Sequence, residues 1–482
     1  MSESSKTFAP LHLAVIGGGI TGLTAAYRLT KLLPNAQVDL FEGTDRLGGV
    51  LWTHRDQDFL VERGADSFQQ KLPWAVELCK ELGLEQEIVP TNKTRRRALV
   101  VRDGKLYPVP EGFVVMRPNR LGPVLRSPLL SLRGKLRLLL ERWIPAATNL
   151  DQNDHDESVA SFAIRRLGRE TFEQLVQPLL AGIYTADPER LSLAATMPAI
   201  IEDEKKYGSL RKAAQAATKT DDTDEKSASG ARYANFVSLQ GGLQQLTEAL
   251  ASQLSQQNIH LNSAIANINQ TTDNRWAINF SDDRPLQNYD GFVVALPAPR
   301  AAQIVASVDP QLSELLKTIP YASSAVVSLM LESSSITKPL DGFGIVVPTV
   351  EGKNIVAASF SSIKFPNRAP EGKVLVRVFL GGALRPEIVD LTDAELQTIA
   401  STELSQLIGA QGKPELLDVI RWREKMPQYH IGHIQLVDAI FSQVEKHSGL
   451  ELAGNAYHGV GIPQCVRSGQ QAAERLAEDL QQ

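Results

Sequence analysis

The sequence predicts an α/β and α+β chain. A parallel-sheet, dinucleotide-binding domain is assembled from three chain segments, and a mixed β-sheet domain and a helical domain are inserted between them. Three observations predict it. Near the start, a short apolar run is followed by G-x-G-x-x-G and a helical pattern. Two later stretches, residues 233–300 and the C-terminus, return to buried-strand and helix patterning. Between these lie a leucine-rich helical block and then β-rich segments at hairpin-scale spacing.

Leu13, Ala14, Val15 and Ile16 form a continuous apolar run, as expected of a parallel strand buried on both faces. Gly17, Gly19 and Gly22 follow at dinucleotide-motif spacing, with Gly18, Ile20 and Thr21 between them. The first glycine turns the chain out of the strand. The second lets backbone approach a pyrophosphate, and the third lets the helix pack close to the sheet. A helix is expected over 20–33, stopping before Pro34. A second strand over 37–41 ends at Glu42, twenty residues after Gly22, where a carboxylate can accept hydrogen bonds from a ribose diol. The glycines alone do not choose between FAD and NAD. Beyond Glu42 and Gly43, Arg46 and the pair Gly48-Gly49 resemble the extended motif of the FAD-dependent amine oxidase and desaturase superfamily. FAD is therefore the expected cofactor of this Rossmann-like domain.

The rest of the chain follows in order. VERGADSFQQ places Gly64 after a strand-like FLVE, and Pro73 opens a helix; Arg63 and Asp66 read as a surface pair. ALVVRDGKLYPVP is extended, with a turn at Asp103-Gly104. Residues 113–211 read as mainly helical. Within 113–142 stand Arg117, Arg120, Arg126, Arg133, Lys135, Arg137 and Arg142, with Glu141 the only acid. This basic, leucine-rich stretch suits an anionic membrane surface or, equally, a solvated helical face. Residues 212–232 are polar and expected to be a flexible loop. After 236, strand, glycine turn and helix return, then three strand candidates ending at Pro297, and a second β-rich block. A helix starting near Val460 would point its positive end at a cofactor. These readings assign residues 1–90, 233–300 and 436–482 to the FAD-binding domain. Residues 91–112 and 301–435 form a substrate-binding domain, and 113–211 a helical, membrane-docking candidate.

Bulk numbers bound the class. With 482 residues, the chain needs two or three cores. Its 43% hydrophobic and 22% charged residues are ordinary for a soluble protein, and a net charge of −5 gives no reason to expect nucleic acid. Two cysteines supply neither a disulfide framework nor a zinc site, and no metal centre is expected. No apolar run suffices to span a bilayer and no targeting signal is visible, so the expected location is cytoplasmic or peripheral to a membrane.

From end to end, the chain resembles the protoporphyrinogen oxidase family of haem and chlorophyll synthesis. The resemblance rests on GGGITGLTAAYRL, VERGADSF, LVQPLLAGIYTADPERLSL, SFSSIKFPNRAP, MPQYHIGHIQLVD and GNAYHGVGIPQCVRSG. It implies six-electron oxidation of protoporphyrinogen IX to protoporphyrin IX, with O2 as acceptor and H2O2 as product. Further FAD contacts are implied at Gly64, Ala65, Asp66, Ser67 and Ile265, and at Val460, Gly461 and Ile462. For the substrate, the resemblance implies propionate binding by Arg97, a backbone contact at Gly182, and ring stacking by Phe360. Arg95 and Arg96 adjoin Arg97, so the match allows a slip in register. Asn455 stands where many flavin oxidases carry Asp. No residue is assigned as a catalytic base, His430, His433 and His458 included. Coproporphyrinogen III oxidation is the alternative reaction, and a non-catalytic carrier of the same fold the alternative class. A homodimer is left open.

Overall fold

The computed structural model describes residues 10–56, 59–147, 156–220, 235–273 and 275–481. The first strand, His12–Ile16, is central in a five-stranded parallel sheet. Its spatial order is Ile259–His260, Gln37–Phe41, His12–Ile16, Gly291–Val294 and Leu450–Leu452, so the three chain segments meet in one sheet. Val15 sits level with Leu40 on one side and Val293 on the other. Alternation along this strand feeds two cores. Leu13 and Val15 pack with the helices Ile20–Leu32, Gln244–Ser252 and Ile462–Asp479. Ala14 and Ile16 pack with Ala298–Val305, Pro310–Lys317 and His433–Val444. Both faces are covered, which is why the run carries no polar residue.

The second sheet has seven strands and is mixed. Across it run Glu415–Pro427, Tyr321–Glu332, Lys373–Gly381, Ile355–Phe360, Gly344–Val346, Ala98–Arg102 and Lys105–Pro108. All pairings are antiparallel except Gly344–Val346 with Ala98–Arg102. Asp103 and Gly104 close the last hairpin with φ of +50° and +68°, the left-handed pair that an Asp-Gly turn supplies. One face of the sheet is buried by the helix Asp393–Ile408, fixed at its start by a Thr392–Glu395 capping box.

The third unit is helical, after two short strands at Phe113–Val114 and Arg117–Pro118. The segment 212–232 differs from its expectation. The helix Leu210–Thr220 occupies its first part, and 221–232 lie outside the described residues. Alanine and lysine are good helix formers in any composition, so low hydrophobicity alone did not mean loop. At the heart of this unit Arg166, Glu141 and Glu204 are wholly buried. Arg166 pairs with Glu141 and lies 3.3 Å from Glu204. Glu141 also accepts from the Ser209 hydroxyl at 2.7 Å and the Leu210 amide at 2.9 Å. The single acid of the basic stretch is therefore a core residue.

Candidate active site

The glycine turn is tight in the way its spacing predicts. A Cβ on Gly22 would lie 1.9 Å from the Gly17 carbonyl oxygen, and one on Gly17 would lie 2.4 Å from that of Ala295. A Cβ on Gly19 would meet nothing within 4 Å, so that side of the turn is open to approach. Glu42 lies beneath. Its Oε2 accepts from the Gly18 amide at 2.8 Å, and its Oε1 from the Thr44 amide at 2.9 Å and hydroxyl at 2.8 Å. The Gly48 amide donates to Gly18 at 2.8 Å, which draws the segment from Arg46 to Gly49 against the turn. Arg46 stacks on Trp52 with its guanidinium 4.1 Å from the ring centroid, and Arg63 lies 3.9 Å from the same ring.

A cavity of about 560 Å³ opens where this domain meets the seven-stranded sheet and the helical unit. Gly64, Ala65, Asp66 and Ser67 form part of its wall, with Gly182 and Tyr184 from the helix Gln177–Tyr184. Opposite stand Val460, Gly461 and Ile462, at the N-terminal end of the eighteen-residue helix Ile462–Asp479. The unpaired amides of that end favour negative charge in the cavity. Tyr429 shapes this wall: its hydroxyl accepts from the Gly459 amide at 2.8 Å and donates to the Asn455 carbonyl at 2.5 Å. Its ring stacks on His433 with centroids 4.0 Å apart. Burial pushes His433 down to about 4 and also lowers His458, so both rings are neutral near neutrality.

An ion cluster lies in the same wall. Lys364 Nζ is 2.7 Å from Asp66 Oδ1 and 2.9 Å from Ser67 Oγ. Arg377 Nη1 is 3.4 Å from Asp66 Oδ2, and its Nη2 donates to the Gly64 carbonyl. Burial alone would raise the Asp66 carboxyl. Lys364 and Arg377, with the hydrogen bonds from Lys364 and Ser67, outweigh it and hold Asp66 far below the usual carboxylate range. The buried Glu62 carboxyl also acts on Arg377, and Arg377 Nε has no hydrogen-bond partner among the described residues.

The structure thus gathers the glycine turn, Glu42 and the segment from Arg46 to Gly49 in one group. It places Gly64 to Ser67, Gly182 and Val460 to Ile462 around one cavity. Two expectations change, for the Arg63–Asp66 pair and for Phe360, while Ile265 and Arg97 lie outside the cavity lining. Arg63 and Asp66 do not pair: Arg63 clasps Asp418 at 2.6 and 2.8 Å. The Ile265 side chain is buried in the core with Ile16 and Phe41, and its neighbour Ala264 lies beside Gly43. Phe360 is fully buried with Val376 and Leu404 under the helix Asp393–Ile408. Strand alternation puts Ser359, Arg377 and Phe379 on the cavity face instead, so Phe360 cannot stack on a ligand there. Arg97 alternates with Ala98, joins Asp341 at 2.8 Å, and does not line the cavity. Arg96 bonds the Thr91 carbonyl at 3.1 Å, and its buried Nε has no partner among the described residues.

Sequence reasoning did not single out Lys364, Arg377 and Tyr429. A signal existed for Arg377, a charge in the middle of the apolar strand VLVRVFLGG. The features present fit an FAD: an acid beneath the glycine turn, open space at Gly19, and a helix N-terminus at the cavity.

Comparison with known proteins agrees with that fit. The family model for flavin containing amine oxidoreductases matches residues 20–477. Coproporphyrinogen III oxidase of Bacillus subtilis (strain 168) is 32% identical over 98% of this chain and 98% of its own. Mitochondrial protoporphyrinogen oxidase of Nicotiana tabacum is 28% identical over 98% of this chain and 95% of its own. A crystal structure from Exiguobacterium sp. 255-15, provisionally a protoporphyrinogen oxidase, superposes with TM-score 0.86 at 28% identity and covers 100% of both chains. The chain belongs to the flavin-containing amine oxidoreductase family and is an FAD-dependent oxidoreductase.

Proposed function

We propose that this enzyme oxidises a porphyrinogen to the porphyrin, with coproporphyrinogen III as the preferred substrate. The observation that carries the reading is the cavity. Its wall joins Gly64 to Ser67 and Val460 to Ile462 to an otherwise largely uncharged lining that includes Ala65, Phe68, Ile183 and Phe379. Its volume of about 560 Å³ falls within the range of small-molecule sites. A tetrapyrrole is a broad apolar ring with carboxylates only on its rim, and such a lining matches the ring. FAD, when bound, supplies the centre that accepts hydride equivalents from the substrate. The chain's part is to exclude water, orient the ring and hold charge. The helix end at Ile462 favours negative charge at the wall. Oxygen is the proposed final acceptor, with peroxide as product.

The relatives with higher identity are named for coproporphyrinogen III, which supports that substrate. The reading that began with protoporphyrinogen IX keeps one specific support. The arginine in the cavity lining, Arg377, is engaged by Asp66, which suits a substrate with fewer carboxylates. Rim carboxylates would then be met outside the lining, with Arg96 and Arg97 as candidates. The test is an assay of the FAD-loaded protein with both porphyrinogens, following porphyrin fluorescence and peroxide. Coproporphyrin formation with the higher kcat/KM is expected. Porphyrin from neither substrate, while FAD stays bound, would leave the carrier reading in place of an enzyme.

A further inference from the structure

A second cavity, of about 190 Å³, lies between the helix Gln177–Tyr184 and one end of the seven-stranded sheet. Its sheet side comes from the turn joining Gly344–Val346 to Ile355–Phe360 and from the end of Lys373–Gly381. No residue lines both this cavity and the one beside the glycine turn, yet the two are neighbours. Ala181 and Thr185 line this one, Gly182 and Tyr184 the other. Gly381 here follows Phe379 there by two residues, on the same face of the strand.

The lining has one chemical character. Its floor is apolar, from Ala181, Val347, Ile355, Val356 and Leu384. Its charged groups are both cations, Lys353 and Arg385, each half-buried. Neither forms an ion pair among the described residues. Arg385 spends only Nη1, on the Asn354 side-chain oxygen at 2.8 Å. Gln177 is 6% exposed. Its Oε1 accepts from the Thr349 amide at 3.0 Å, and its NH2 group is left without a partner among the described residues. The nearby carboxylates are engaged elsewhere. Glu403 takes the amides of Asn354 and Ile355 and the Asn354 side chain, and Glu351 takes the amides of Asp103 and Gly104.

We propose that this cavity binds a carboxylate carried on a short apolar arm. Arg385, Lys353 and the Gln177 NH2 group would donate to the oxygens, and the arm would lie on the apolar floor. A phosphate fits less well, because the floor would face oxygens it cannot hydrogen-bond. Two sources supply this chemistry: a free short-chain monocarboxylate, or a propionate of a porphyrinogen whose ring stands in the neighbouring cavity. The second source rests on the reaction proposed above. Its motive is the position of Arg97, whose carbonyl accepts from the Phe343 amide at 2.8 Å, just before the strand Gly344–Val346. The second cavity begins past the other end of that strand, at Val347, about 13 Å further along. Cations at both ends suit a ring with carboxylates on opposite edges, as coproporphyrinogen III has and protoporphyrinogen IX has not.

The test adds butyrate, with butyramide as the uncharged control, to the full-length, FAD-loaded protein and follows binding by saturation-transfer NMR. Transfer to butyrate and not to butyramide is expected. Arg385→Gln and Lys353→Gln should each weaken butyrate binding about tenfold, the low end for one charge-assisted hydrogen bond. Retained flavin absorbance shows that each variant is folded. Kinetics with the same proteins separate the sources. For a propionate, butyrate competes with coproporphyrinogen III, and both variants raise its KM about tenfold while leaving that of protoporphyrinogen IX in place. For a free carboxylate, butyrate binds and both KM values stay unchanged. Equal transfer to butyrate and butyramide, or butyrate binding that both substitutions leave unchanged, overturns the proposal, and either result is read without any turnover of a porphyrinogen.

Discussion

Replacing Glu42 by alanine removes a carboxylate with three of its lone-pair sites already used, by the Gly18 amide and by the Thr44 amide and hydroxyl. An ionised carboxylate has about four such sites, so roughly one remains for a ligand hydroxyl. A charge-assisted bond of that kind contributes about 1.5–3 kcal/mol, so the FAD dissociation constant should rise by about 10- to 150-fold. The glycine turn should survive, because Gly17 and Gly22 are fixed by backbone contacts that Glu42 does not make. Glu42→Gln should recover little. Its amide offers one oxygen, and its NH2 must then face a backbone N–H that now meets a carboxylate oxygen. The assay is titration of apoprotein with FAD, followed by quenching of flavin fluorescence. Dissociation constants within about twofold of the parent for both variants would refute the assignment of Glu42 to the ribose.

Two other predictions concern the cavity wall. Asp66→Asn takes the nearest anion from the buried Lys364 and Arg377, which costs about 3–5 kcal/mol. Adding Lys364→Met should restore much of that loss, and urea midpoints that fail to recover would mean that the cluster is not electrostatically coupled. His433 is held at about 4 by burial, below its ordinary 6.5. The unfolded chain therefore takes up a proton first as pH falls. Stability is complete above 6.5 and declines toward 4, by up to about 3 kcal/mol. His433→Gln keeps a donor for the Tyr457 carbonyl and should flatten that decline in thermal melts taken across the window. A decline of the same size would place the titration elsewhere.

The sequence by itself determined the cofactor half of this protein. The turn at Gly17–Gly22, the strand before it and Glu42 after it are close in the chain, and local backbone geometry dictates their residue types. The hairpin at Asp103-Gly104 was legible for the same reason. The tertiary structure decided the substrate half. Ser359 and Phe360 are neighbours in sequence, yet they lie on opposite faces of a seven-stranded sheet, because the helix Asp393–Ile408 claims one side and the cavity the other. Which side a strand residue takes depends on register with partners far along the chain, and that register is absent from local pattern. Asp66 found Lys364 and Arg377, about three hundred residues away, rather than Arg63 three residues before it. Glu141 looked like a charge on a basic surface and proved to be the buried partner of Arg166. Burial sets the cost of leaving a charge unpaired, and only the folded chain fixes which charges are buried.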